Sequence, residues 1–121
     1  MEKIVSAANN KVVTSTRIIA KHFGRNHNEI VHALRYLMSD CGAAFSEENF
    51  FTQEQNNSYW VTSAGFMVLS GLFLGARNAR IKITFIDAFN KAQREMNTNM
   101  LIRNEYFPVS SLEKYPSALA G

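Results

Sequence analysis

Apolar positions recur along this chain with two periods, and each change of period marks a new element. "KVVT" (11–14) is short and β-branched and predicts a strand. In "TRIIAKHF", Ile18, Ile19 and Phe23 share one helical face; Ser15 can cap this helix, and Gly24 can end it in the left-handed conformation. Asn26-x-x-Glu29 has capping-box spacing and predicts a second helix from about His27 to Ser39. The two helices meet across Gly24, Arg25 and Asn26, which is a helix-turn-helix layout. "CGAAFSEEN" reads as a loop. "FFTQ" (50–53) and "SYWVT" (58–62), with "EQNNS" as turn chemistry between them, read as a β-hairpin.

Thr62 or Ser63 can cap a third helix through Phe73, which Gly75 breaks. A long amphipathic helix then runs from about Arg77 to Asn97, with Phe85, Phe89, Ala92 and Met96 along one stripe. Residues 98–121 have no clear period, contain both prolines and read as an arm or tail. The pattern therefore predicts an α+β domain over residues 1–97, followed by a short C-terminal arm over 98–121.

The length of 121 residues suits one domain with a single hydrophobic core. Cys41 is the only cysteine, so no internal disulfide can form and a reducing compartment is expected. The longest apolar run, "AGFMVLSGLFLG", falls short of the roughly 20 residues that cross a bilayer. The start "MEKIVSAANNK" lacks the order of a secretory signal. These features predict a soluble cytosolic protein without a membrane partner.

The net charge of +3 is modest, but it is segregated. Lys11, Arg17, Lys21, Arg25 and Arg35 face Glu29 alone over residues 11–35. Residues 36–76 have no Lys or Arg and carry Asp40, Glu47, Glu48 and Glu54. Residues 77–94 are basic again, with Arg77, Arg80, Lys82, Lys91 and Arg94 against Asp87. Such a layout suits a polyanionic partner, and it equally suits the solvated faces of ordinary helices.

The second helix is the informative one. At 100° per residue, Ile30, Val31, Leu34, Leu37 and Met38 gather on one side. Asn28, His32, Arg35 and Ser39 fall opposite, at i, i+4, i+7 and i+11. Arg can pair with guanine O6 and N7, and Asn with adenine N6 and N7, in the major groove. Arg25 precedes this row, and Arg17 and Lys21 add cations from the first helix. The bland alternative is the polar outer face of any small helical domain. His27 lies on the apolar side and reads as a structural histidine rather than a contact residue. No zinc-type Cys/His spacing, phosphate-cradling glycine motif or nucleophile–base pair is present, so no enzyme, metal or cofactor is expected.

"FGRNHNEIVHALR" resembles a motif of the Rha family of bacteriophage regulatory proteins, carried here by Phe23, Gly24, Arg25, His27, Ile30, Leu34 and Arg35. "YWVTSAGFMVLSGLFLGARNARIKITFIDAFN" resembles the second half of that family. The match there is carried by Tyr59, Thr62, Gly65, Phe66, Leu69, Gly75, Ala79, Lys82, Phe85, Ile86, Ala88, Phe89 and Asn90. The likeness covers about residues 11–96. It departs at Ser63 and Ala64, where the family usually has a charged pair, and at Ala76 and Arg77, where it has two lysines. The glycine before that loop is also shifted, to Gly71. The resemblance implies a winged helix-turn-helix-like DNA-binding fold, in which the 50–62 hairpin read above would be the wing. It also implies a phage or prophage regulator acting in the bacterial cytoplasm of its host.

The expectation is thus a non-enzymatic regulator that binds double-stranded DNA as a homodimer, through Arg25, Asn28, His32, Arg35 and Ser39, with Arg17 and Lys21. The alternative is a protein-interaction module, an antirepressor or inhibitor of a host or phage protein. Tyr106, Phe107 and Tyr115 in the tail would then be its anchors.

Overall fold

Asn9 and Asn10 both adopt left-handed backbone (φ 52° and 63°), the conformation a two-residue hairpin turn requires and asparagine tolerates. They join β1 (Ser6–Ala8) to β2 (Lys11–Ser15). The computed structural model describes residues 3–53 and 57–103. After β2 come α1 (Thr16–Phe23), α2 (His27–Cys41), α3 (Ala43–Asn49), β3 (Phe50–Thr52), β4 (Tyr59–Thr62), α4 (Ser63–Ser70) and α5 (Ala76–Arg103). The strands form one antiparallel sheet in the order β1-β2-β4-β3, with Thr14 and Phe50 both opposite Val61. The architecture is α+β: a four-stranded antiparallel sheet with five helices, the last one long.

The helix boundaries at Ser15, Gly24, Asn26 and Thr62 lie where the caps place them. The Ser15 side chain accepts from the Arg17 N–H, and Gly24 is left-handed at φ 66°. The Asn26 side chain accepts from the Asn28 N–H, opening α2. Thr62 caps α4 by accepting from the Gly65 N–H at 3.2 Å.

Elsewhere the chain departs from the sequence reading. The stretch expected to be a loop after Cys41 is mostly α3. Gly42, at φ 86°, breaks the chain direction after α2, and its carbonyl accepts from Ser46 N–H to start the new helix. Ser46 Oγ ties that helix back to the carbonyl of Met38 at 2.8 Å. β1 is an added edge strand. α4 ends at Ser70, not Phe73, and Gly75 (φ 97°) does not stop it: its carbonyl accepts from Ala79 N–H at the start of α5. α5 continues past Asn97, where the helix was expected to end, to Arg103. Thr98 Oγ1 bonds back to Arg94 O there, and the first proline is not reached until Pro108.

The core is an aromatic cluster between the sheet and the helices. Phe23 stacks on Phe73 at 4.4 Å, and Phe66 on Phe85 at 4.7 Å. Phe23 and Phe85 join the two pairs at 5.8 Å, and Phe89 approaches Phe66. The predicted α5 stripe is therefore a packing face, with Phe85 and Phe89 buried and Ala92 and Met96 beside them. α1, α4 and α5 all pack on β2. Gly65 lies so close to the start of β3 that an added Cβ would sit 2.7 Å from Phe50 Cε1 and 2.8 Å from Asn49 O.

Candidate nucleic-acid interface

α2 turns Ile30, Val31 and Leu34 into the core, with Leu37 and Met38 half-buried at its margin. The opposite row, Asn28, His32, Arg35 and Ser39, is exposed along the helix. No described part of the molecule covers it. Tyr36, 65 % exposed, joins this face, and its ring meets His32 edge-on at 5.1 Å. Glu29 and Asp40 are exposed on the same shoulder as Tyr36, so one flank of the row is acidic.

On the other flank, two arginines from the helices are held by the β3–β4 hairpin. Arg35 Nη2 donates to Asn57 Oδ1 at 2.7 Å, and Arg17 Nε donates to Ser58 Oγ at 2.9 Å. Consecutive hairpin residues thus hold an arginine from α2 and one from α1. Three consecutive residues at the start of α1 fasten to the hairpin in turn. Ser15 Oγ bonds Gln53 Oε1, the Thr16 hydroxyl accepts from Tyr59 N–H, and Arg17 bonds Ser58.

Thr16, fully buried, also links α1 to α2. Its oxygen lies 2.9 Å from His27 Nε2. While its oxygen accepts from Tyr59 N–H, Thr16 can donate its hydroxyl proton to Nε2 of a neutral His27 ring. Burial first, and then the positive charge of Arg17, hold the His27 pKa below its ordinary value of 6.5. His27 is therefore a structural group joining the two helices and the hairpin, as its place on the helical wheel predicted.

The remaining predicted residues are less tightly grouped. Lys21 is exposed on α1, one turn beyond Arg17. Arg25, also exposed, lies over the Phe73 ring at 5.5 Å, directed toward the α4–α5 connection. Tyr106, Phe107 and Tyr115 lie outside the described residues. Sequence reasoning missed Tyr36, Asn57 and Ser58. Tyr36 was within reach, being four residues beyond His32 on the same face.

A model of the phage regulatory protein Rha family matches residues 14–94, a span that runs from β2 through α2 and the hairpin into α5. The chain belongs to the Rha family. Membership places it among phage regulatory proteins. An uncharacterized 22.8 kDa protein from the gp15-gp3 intergenic region of Salmonella phage P22 is 31 % identical over 104 residues, covering 78 % of this chain and 51 % of the phage protein. This chain thus spans about half the length of that relative. An uncharacterized protein of Haemophilus influenzae is 28 % identical over 123 residues, covering 92 % of this chain and 71 % of that protein. No solved structure matches the chain. Among the described residues, no helix is long and apolar enough to cross a membrane, and no His, Cys, Asp and Glu side chains are grouped to hold a metal ion.

Proposed function

We propose that this Rha-family chain is a non-enzymatic DNA-binding regulator that reads the major groove with α2. The observation that carries this reading is the exposed row Asn28, His32, Arg35 and Ser39 beside a hairpin that anchors Arg35 and Arg17. The element order supports it. The helices α1, α2 and α3 lead into a β-hairpin whose second strand lies between its first and β2, a placement that suits a wing beside the helix pair. In this arrangement the second helix enters the groove and the first crosses the backbone. Arg35 then pairs with guanine, and Asn28, in the first turn, meets adenine or a phosphate drawn to the helix N-terminus. Arg17 and Lys21 lie along the phosphates, and the β3–β4 hairpin acts as the wing. A symmetric dimer doubles these contacts on a two-fold site in the host cytoplasm.

A salt titration on random duplex DNA tests the class of function. Phosphate contacts from Arg17, Lys21 and Arg25 predict a log–log slope of about −3 per protomer. Flat or absent binding contradicts the proposal. The second reading is docking to a host or phage protein, favoured by the exposed Leu72 and Leu74 between α4 and α5. Loss of that partner on Leu74→Ser, with no DNA affinity in the parent, would establish it instead.

A further inference from the structure

We infer that Asn57 is a positioning residue: it aims Arg35, so the hairpin sets the sequence preference of α2 without itself reading a base. The inference rests on the DNA-binding reading above. An exposed arginine ordinarily samples many rotamers, and fixing one costs side-chain entropy. Arg35 is exposed, yet its Nη2 is held at 2.7 Å by a side chain 22 residues away. A guanidinium carries five N–H donors, and Asn57 engages only one of its nitrogens. The remaining donors are still available for the paired acceptors of guanine. Asn57 holds Arg35 without using up its reading capacity.

Asn57 is itself held in place. Its backbone is left-handed at φ 55°, a conformation that asparagine adopts more readily than other residues with a Cβ. The next residue, Ser58, is buried, accepts from Arg17 Nε, and closes the hairpin by accepting from Gln53 N–H at 2.9 Å. Tyr59 is fastened in turn to Thr16. The support beneath Asn57 therefore runs through α1, and the aim of Arg35 is referred to the helix that would cross the backbone.

Asn57→Gly is the informative variant, because glycine keeps the left-handed turn and removes only the side chain. On a site selected from random duplexes it should lose about three- to tenfold in affinity, the scale of one ordinary exposed hydrogen bond. Affinity for unselected duplex and the salt slope should stay at parent values. In an Arg35→Ala background Asn57→Gly should add no further loss, since a residue acting through Arg35 has nothing left to position. Asn57→Asp, which keeps the acceptor, should restore the preference while weakening every duplex. Equal weakening of selected and unselected DNA, or an undiminished effect in the Arg35→Ala background, overturns the inference. In the free protein, Arg35 Nε–H relaxation by NMR should show an ordered side chain that Asn57→Gly mobilises; no change there overturns it as well. A parent that binds no duplex sinks the DNA reading and this inference together. A parent that binds, with preference unaltered by Asn57→Gly, sinks the inference alone.

Discussion

The aromatic core and the outer face of α2 are held by different physics. Phe23, Phe66, Phe73 and Phe85 form a continuous stacked cluster in which each ring packs on at least one other. The α2 row is held by single contacts, such as Arg35 to Asn57 and His32 edge-on to Tyr36. Packing is cooperative and intolerant of lost volume, whereas exposed polar bonds contribute little to stability and much to direction. Variants of the first region should unfold the protein. Variants of the second should leave it folded and change what it recognises.

The sharpest way to break this division lies in the core. Phe66 is fully buried between Phe85 and Phe89, and Phe66→Ala should cost about 3–5 kcal/mol in urea unfolding. A loss no larger than that of a surface substitution would mean that the aromatic cluster is not the core. Next is Gly65, where a Cβ would collide with the Asn49 carbonyl, a backbone atom that cannot swing aside. Gly65→Ala should therefore destabilise by about 1–3 kcal/mol, as overpacked sites do. A neutral result would show that α4 can shift away from β3.

The smallest expected effect is a dependence on pH. The His27 pKa is lowered on folding, by burial and then by Arg17, so the unfolded chain binds its proton more readily. The stabilisation from neutral His27 is complete above the unfolded value of 6.5, and it is lost as pH falls through the lower folded value. Unfolding midpoints should decline between pH 7.5 and 5.5 in the parent, and less so in His27→Gln. Parallel profiles would remove His27 from the account.

Much of this was legible because some signals are local. Ser15, Gly24 and Asn26 act within one turn of their own position, so the ends of α1 and the start of α2 could be read directly. The period of α5 was readable for the same reason. α3 was not, because Phe45 is the only large apolar residue in its span and one residue sets no period. β1 escaped because "SAA" has no β-branched residue, although the Asn9-Asn10 turn beside it was a usable sign. In the candidate interface, the exposed row followed from helical geometry. The ties from Arg17 to Ser58 and from Arg35 to Asn57 span 41 and 22 residues, and no periodicity reports on partners at that distance.

In the proposed reading, α2 meets duplex DNA through Asn28 and Arg35. The most direct measurement is the affinity of parent and Asn28→Ala/Arg35→Ala for a selected duplex site at moderate salt, with unfolding midpoints recorded for both. A loss of about 2–6 kcal/mol in binding, from two base contacts at about 1–3 kcal/mol each, with unchanged midpoints, is the predicted result. A double variant that binds the site as tightly as the parent would contradict it.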